Sequence, residues 1–230
     1  MSYIITACDE IEELSKLLDL LIPVVKDSDQ VIVQLDNTSD KFTDMEKLVE
    51  TKKFKCGFMV ISYTFDKDFA EMKNNAIDFC TGDYILQLDA DETIGNGLLY
   101  NIRDLIDDNR DVDAFYIPRI NTVKGITDEY IQRVGWSKDI TPVHDLPLIN
   151  FPDYQMRLWR VKENVRWAGK VHERLTGDIH KYAYVLDPQS INEFTNLNLD
   201  DFWSLVENWS IHHHKTFDKQ IKQNELYETI

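Results

Sequence analysis

Tyr84-Ile85-Leu86-Gln87-Leu88-Asp89-Ala90-Asp91-Glu92 is the stretch from which the rest of the chain is read. Five residues suited to a buried strand run, without a turn signal, straight into an acidic cluster. A buried strand leaves the carboxylates of Asp89 and Asp91 little freedom. Two carboxylates two residues apart can hold a hard divalent cation whose other ligands are phosphate oxygens. An acidic surface turn is the bland alternative, and the flanking elements weigh between the two.

Upstream, strand and helix alternate. Tyr3–Ala7 reads as a short strand, and Asp9 is placed to cap a helix carrying Ile11, Leu14, Leu17, Leu18 and Leu21 at helical spacing, closed by Pro23. Gln30–Leu35 is a second strand, followed by the turn residues Asp36-Asn37-Thr38-Ser39-Asp40. Phe58–Tyr63 is a third. Asp66 or Asp68 then caps a helix with Phe69, Met72, Ala76 and Phe79 facing inward, and Gly82 stands where a helix-terminating glycine belongs. Strands separated by helical stretches imply a parallel sheet with right-handed crossovers, and such sheets bind ligands beyond their carboxyl ends. The polar clusters Thr6 to Asp9, Asp36 to Asp40 and Asp89 to Glu92 all fall at those ends.

Downstream the pattern is less regular. Gly95–Asn109 is expected to be a helix, Ala114–Ile120 a strand, and Asn121–Asn150 a long connection. Gln155–Arg160 and Val165–Leu175 read as two strands joined by a short charged turn. Asp200–Trp209 and Phe217–Tyr227 have helical spacing, with His212-His213-His214 on an irregular stretch between them. Neither an internal repeat nor a Pro-, Gly- or Ser-rich linker is evident, so one α/β domain over residues 1–230 is the economical expectation.

The chain is 43% hydrophobic and 29% charged over 230 residues. Those proportions exclude a collagen-like, low-complexity or disordered chain, and the length excludes a disulfide-stapled mini-protein. Cys8, Cys56 and Cys80 form no C-x-x-C pair and are expected to be reduced thiols. The first residues carry no signal-peptide pattern, and no apolar run reaches the ~18 residues of a membrane span, which sets the expectation of a cytoplasmic protein. A net charge of −16 argues against a protein that coats nucleic acid. The charge is uneven: residues 1–113 carry 25 acidic and 11 basic residues, residues 114–230 carry 16 and 14. Within the second half, Arg157, Arg160, Lys162, Arg166, Lys170 and Arg174 face only Glu163 and Glu173. That run can meet a phosphate-bearing ligand or form a salt-bridged strand pair.

Longer motifs then line up. Asp68-Phe69-Ala70-Glu71-Met72-Lys73-Asn74, followed by Gly82-Asp83-Tyr84-Ile85-Leu86-Gln87-Leu88-Asp89-Ala90-Asp91-Glu92, resembles family 2 glycosyltransferases of the GT-A fold, whose pattern is D-F-x-x-x-[RK]-N and then G-[DE]-[YW]-I-L-x-L-D-A-D-E. The stretch from Val31 to Asp40 is similar to that family's V-V-D-[DN]-x-S-x-D strand and turn, with Leu35-Asp36 standing where paired aspartates are common. Gln155-Met156-Arg157-Leu158-Trp159-Arg160 and Trp167-x-Gly169-x-Val171-His172-Glu173 resemble its R-L-[FW]-R and W-x-G-x-V-H-E elements. The matches run in the expected order from about residue 3 to 175.

The resemblance implies a Rossmann-like GT-A domain with a mostly parallel central sheet flanked by helices. Residues 1–113 would form the nucleotide-sugar donor half and 114–230 the acceptor half. It implies metal-dependent, inverting transfer from a nucleotide-diphosphate sugar, a UDP-sugar being favoured, to a hydroxyl on a saccharide or lipopolysaccharide core. A hydroxymethylated DNA base, met by the basic run, is an alternative acceptor, and a non-catalytic glycosyltransferase-like binding module is the non-enzymatic alternative. A nucleotidyltransferase is disfavoured because Thr6-Ala7-Cys8-Asp9 lacks the glycines of a phosphate loop.

Carried over by residue, Thr6 and Asp36 would contact the nucleoside, and Lys73 and Asn74 would lie near the base or diphosphate. Ala90 and Arg157 would complete the donor-binding set. Asp89 would touch the ribose or a metal-bound water, and Asp91 would ligate Mn²⁺ or Mg²⁺. Glu173 is the candidate base, since inverting transfer needs a carboxylate to take the acceptor's proton, with Asp153 in reserve. His213 is the favoured further metal residue, with His212 and His214 as alternatives, and Lys215 is placed to neutralise the diphosphate. One indole among Trp136, Trp159, Trp167, Trp203 and Trp209 is expected to stack on a sugar.

Overall fold

The computed structural model describes residues 1–141, 144–187 and 197–230. In chain order the elements begin β1 (Ser2–Ala7), α1 (Ile11–Leu21), β2 (Gln30–Asp36), α2 (Phe42–Thr51), β3 (Gly57–Tyr63), α3 (Phe69–Ile77) and β4 (Tyr84–Asp89). They continue with β5 (Glu92–Ile94), α4 (Asn96–Asp108), β6 (Ala114–Ile117), β7 (Arg119–Lys124), α5 (Asp128–Val134), β8 (Lys138–Asp139) and β9 (Leu148–Ile149). The remainder is β10 (Gln155–Arg160), β11 (Arg166–Ala168), β12 (Arg174–Thr176), β13 (Tyr182–Tyr184), α6 (Leu199–Asn208), β14 (Ile211–Thr216) and α7 (Phe217–Glu228). These elements pack into two units. One is Met1–Glu92 with Met156–Lys181 and Ile230, and the other is Thr93–Gln155 with Tyr182–Thr229. The units therefore follow neither the 1–113 nor the 114–230 half, because the chain leaves the first unit after Glu92 and returns to it at Met156.

The first unit is built on parallel strands. β1 pairs in parallel with β2 and with β4, and β2 with β3, while β10 runs antiparallel to β4. β1 is buried along its whole length and β2 at six of seven positions, as expected of strands covered on both faces. α1 turns Leu14, Leu17, Leu18 and Leu21 inward and packs on α2, and α2 lies against β2. α3 lies against β1, β3 and β11.

Several local expectations are corrected here. α1 is capped by Glu10 rather than Asp9: its own side chain makes no cap bond to the helix and instead accepts from the backbone N–H groups of Cys8 and Asp9. α2 was not foreseen, because Met45 and Val49 alone make its buried stripe. Asp68, not Asp66, caps α3 by accepting from Glu71 N at 2.9 Å, and Phe79 lies past the helix and exposed. Gly82 does not terminate α3, which stops at Ile77. It is glycine because a Cβ there would stand 2.6 Å from the carbonyl carbon of Met1.

The second unit holds a five-stranded sheet in the order β5-β14-β7-β9-β8, and β13 pairs in parallel with β6. The expected strand Ala114–Ile120 is interrupted at Pro118, which has no N–H to give a ladder. β7 then continues to Lys124, so the expected connection Asn121–Asn150 contains a strand, the helix α5 and two short strands. Ile120, Leu148, Leu186, Trp203 and Val206 form one apolar cluster, and Val123, Ile131 and Ile149 another. The histidine stretch is not irregular: it is β14, paired in parallel with β7. The expected strand Val165–Leu175 is instead the antiparallel pair β11 and β12 with a tight loop between. No helix among the described residues is long and apolar enough to cross a membrane.

Candidate functional site

β1, β2 and β4 bring Thr6, Asp36 and Asp89 to the carboxyl ends of adjacent parallel strands, with Thr6 opposite Gln34 on one side and Asp89 on the other. The Thr6 hydroxyl donates to Asp89 Oδ1 at 2.9 Å, and Ala90 N donates to Thr6 O at 2.9 Å. Two bonds thus fasten the end of β1 to the turn that carries the acidic cluster. Glu92 Oε2 closes that turn by accepting from Asp89 N at 3.1 Å.

Arg157, on β10, reaches the cluster because β10 is antiparallel to β4 and sets Leu158 opposite Leu86. Its guanidinium donates to Asp89 Oδ2 at 2.7 Å and to Glu92 Oε1 at 2.6 Å. The Glu92 side chain is 0% exposed and that of Arg157 3%. Lys73, on α3, donates to Glu173 Oε1 at 2.5 Å and lies 3.4 Å from Asp89. Three carboxylates, Glu92, Asp89 and Glu173, therefore share two cations in one continuous chain. Burial by itself would raise the Asp89 pKa. The Lys73 ammonium and the Arg157 guanidinium outweigh it, with the Thr6 bond, and hold the carboxyl well below the usual range against the opposing charge of Asp91. Burial likewise acts to lower the Arg157 pKa, and Glu92 and Asp89 more than reverse it.

Asp36 is 3% exposed and tightly oriented. Its Oδ1 accepts from Thr38 N at 2.9 Å, the Thr38 hydroxyl at 2.8 Å and Phe65 N at 3.3 Å, while Oδ2 accepts from the Cys8 thiol at 3.3 Å. Burial, the Asp36 charge and this hydrogen bond push the Cys8 thiol up to about 12, so it stays a protonated donor.

Asn74 and Lys73 have different tasks. Asn74 Nδ2 donates to Trp167 O at 2.9 Å and its Oδ1 accepts from Trp167 N at 2.8 Å, so its amide stitches α3 to β11. Phe69 N donates to Lys170 O at 3.0 Å and adds a third stitch. The loop that follows turns through Gly169 at φ +99° and His172 at φ +53°, both left-handed, and so brings Glu173 back toward α3. Gly169 suits that conformation, whereas His172 carries a side chain there at a local cost.

In the second unit, Asp153 is held by Arg119 Nε at 2.9 Å and Nη2 at 2.6 Å, by Asn121 at 2.8 Å and by Gln155 at 2.8 Å. Burial would raise its pKa, and Arg119 with these donors lowers it overall. β14 alternates its histidines. His213, 9% exposed, pairs with Asn121 across the ladder and contacts its Oδ1 at 3.1 Å, while His212 meets Glu207 O at 2.8 Å and His214 meets the Thr122 hydroxyl at 2.6 Å. Lys215 donates to Gln223 at 2.5 Å. Thus Thr6, Asp36, Lys73, Asn74, Asp89, Ala90, Asp91, Arg157 and Glu173 belong to the first unit, and Asp153, His213 and Lys215 to the second.

The basic run is engaged internally at several points: Arg157 is buried, Arg166 pairs with Asp78 at 3.1 Å, and Lys162 donates to Asp178 O at 2.7 Å. Glu92 ends the acidic motif, and its pairing with buried Arg157 appears only in the folded chain. Trp167 is buried, donating from Nε1 to buried Gln87 at 2.8 Å with Lys73 5.1 Å from its ring centroid.

Asp89 and Asp91 offer hard oxygens, and among the described residues no group of three or more His, Cys, Asp or Glu is arranged to hold a metal ion. These donors fit a Mg²⁺- or Mn²⁺-type ion that takes its remaining ligands from phosphate and water, as those ions commonly do.

The family model described as "Glycosyl transferase family 2" matches residues 2–173. Solved structures similar to the chain include S. aureus TarS, at 16% identity and TM-score 0.47, covering 69% of this chain and 28% of that one. S. aureus TarS 1–349 in complex with UDP-GlcNAc matches at 17% and 0.44, covering 62% and 41%. The mannosyltransferase PcManGT from Pyrobaculum calidifontis, in complex with GDP-Man and Mn²⁺, matches at 19% and 0.43, covering 69% and 44%. The chain spans less than half the length of each of these three. Comparison with curated protein sequences found no match.

Proposed function

The chain belongs to glycosyl transferase family 2, and from that premise we propose that it is a GT-A glycosyltransferase that transfers a sugar from a nucleotide-diphosphate donor, a UDP-sugar, to an acceptor hydroxyl on a saccharide or lipopolysaccharide core. The observation that carries the donor reading is the register of Thr6, Asp36 and Asp89 at three adjacent parallel strand ends, each oriented by hydrogen bonds.

In this reading Asp36 and Thr6 face the nucleoside, Lys73 the diphosphate, and Asp89 and Asp91 hold Mn²⁺ or Mg²⁺ together with phosphate oxygens. A bound divalent cation would offset negative charge on the departing diphosphate. Glu173 takes the proton of the acceptor hydroxyl as that oxygen bonds to the anomeric carbon. The bond from the anomeric carbon to the phosphate oxygen breaks, its electrons leave with the nucleoside diphosphate, and the configuration inverts. Glu173 is preferred to Asp153 because four donors already occupy the Asp153 oxygens. A modified DNA acceptor loses support because Arg157, first in the basic run, is buried against carboxylates.

The test is thermal unfolding of the protein with UDP, GDP, dTDP and CDP, each with Mn²⁺ or with EDTA. UDP at a hundredfold excess over its Kd should raise Tm by about 5–10 °C with Mn²⁺, and by much less with EDTA. If no nucleotide shifts the transition in either condition, the donor reading is wrong.

A further inference from the structure

Lys73 is asked to serve two anions. Its ammonium stands 2.5 Å from Glu173 Oε1, in an ion pair whose side chains are 5% and 16% exposed. Partial burial keeps such a pair from being screened as a surface bridge would be. Neither partner drifts easily. α3 is capped by Asp68 and stitched to β11 and its following loop at Asn74 and Phe69, and Glu173 follows the left-handed His172. Arg157 feels the Glu173 charge but makes its hydrogen bonds to Asp89 and Glu92, which leaves Lys73 as the cation bonded to Glu173. Yet Lys73 is also the cation that the donor reading sets against the diphosphate, and Glu173 is the carboxylate it sets against the acceptor's proton.

We infer that Glu173 and the donor's diphosphate compete for Lys73, so that the base is held on the lysine until a donor takes the lysine over. Without donor, Glu173 Oε1 is bonded to the ammonium and is not presented to an acceptor hydroxyl. A diphosphate offers Lys73 more negative charge than one carboxylate does, and drawing the ammonium toward it releases Glu173. Lys73 is in this sense a positioning residue for the base, making proton removal follow donor binding. The inference rests on the donor reading above.

The experiment is a double-mutant cycle on the affinity of the protein for UDP with Mn²⁺, read by titration calorimetry, with no acceptor needed. Glu173→Gln removes the competing anion at constant shape and should tighten UDP by roughly two- to 150-fold, the range of coupling between residues in contact. Lys73→Gln should weaken UDP by about tenfold or more. In the Lys73→Gln background Glu173→Gln should change nothing. If Lys73→Gln does not fold, Lys73→Arg keeps the charge and should preserve the tightening by Glu173→Gln. If Glu173→Gln does not fold, Glu173→Ala removes the same charge.

A pair that merely fastens α3 to its loop gives the opposite sign: loosening it by Glu173→Gln leaves UDP affinity unchanged or weaker, which overturns the inference. Wild-type protein that binds UDP while Glu173→Gln binds it equally well refutes the competition and leaves the donor reading standing. Wild-type protein that binds no nucleoside diphosphate removes the donor reading and the competition together.

Discussion

Asp89 and Asp153 are the same residue type, each beside an arginine, and each has its carboxyl held below the usual range. They differ in how their oxygens are occupied. Asp153 accepts four hydrogen bonds from Arg119, Asn121 and Gln155, about as many as a carboxylate can take. Asp89 belongs to a chain in which three carboxylates share two cations, and Asp91 stands close enough to raise its proton affinity. A carboxylate whose donors already fill it is a structural joint. One that must share its cations can still gain from a further positive charge. Residue type and strand position do not separate these cases, and the local ratio of donors to acceptors does.

The contrast can be broken most severely at Arg157. Arg157→Met leaves the fully buried Glu92 without its guanidinium, and the expected loss is about 3–5 kcal/mol of folding stability by urea denaturation. A loss under ~1 kcal/mol would mean that Glu92 protonates or rehydrates freely, and that the first unit's network is not a buried one. Asp91→Asn tests the same network from its ligand side. Mn²⁺-dependent stabilisation by UDP should fall by at least about tenfold in apparent affinity, with little change in stability without ligand. Equal stabilisation of both proteins would assign the acidic cluster to the surface turn that was the alternative from the start.

Arg119→Met sharpens the other half of the comparison. It should cost about 1–3 kcal/mol, by leaving Asp153 short of two donors, while UDP affinity with Mn²⁺ stays at the wild-type value. A parallel loss of UDP affinity would give Asp153 a part in donor binding that its saturation argues against. The smallest effect is expected in acid. Both aspartates have folded-state pKa values below the unfolded value of 3.8, so their contribution is complete well above pH 4 and is lost as pH falls toward the folded values. Urea midpoints measured between pH 6 and pH 2.5 should fall on the acid side, and Asp153→Asn should flatten that fall. An Asp153→Asn profile parallel to wild type would contradict the depressed pKa.

Local pattern carried much of this far. The strands Tyr3–Ala7, Gln30–Leu35, Phe58–Tyr63, Tyr84–Leu88 and Gln155–Arg160 fall within the observed β1, β2, β3, β4 and β10; β1, β2 and β4 are buried apolar runs bounded by polar residues, while the partly exposed β3 was legible from its β-branched and aromatic residues. The misreadings share a cause. α2 buries only Met45 and Val49, too few to print a period; the histidine strand has no apolar alternation; and Gly82 is glycine for a close approach to Met1, from the far end of β1. Glu92 went unassigned because its partner lies 65 residues away on another strand.

What the sequence determined alone was the set of parallel strands and the polar residues at their carboxyl ends, because side-chain period and strand-end polarity are written within a few neighbouring residues. The tertiary structure alone decided which charges meet. Antiparallel pairing of β10 with β4 puts Arg157 between Asp89 and Glu92, and the turn through Gly169 and His172 puts Glu173 on Lys73, 100 residues earlier. Electrostatic partnership depends on distance in space, and that distance is set by strand order and loop handedness, which no short stretch of sequence records.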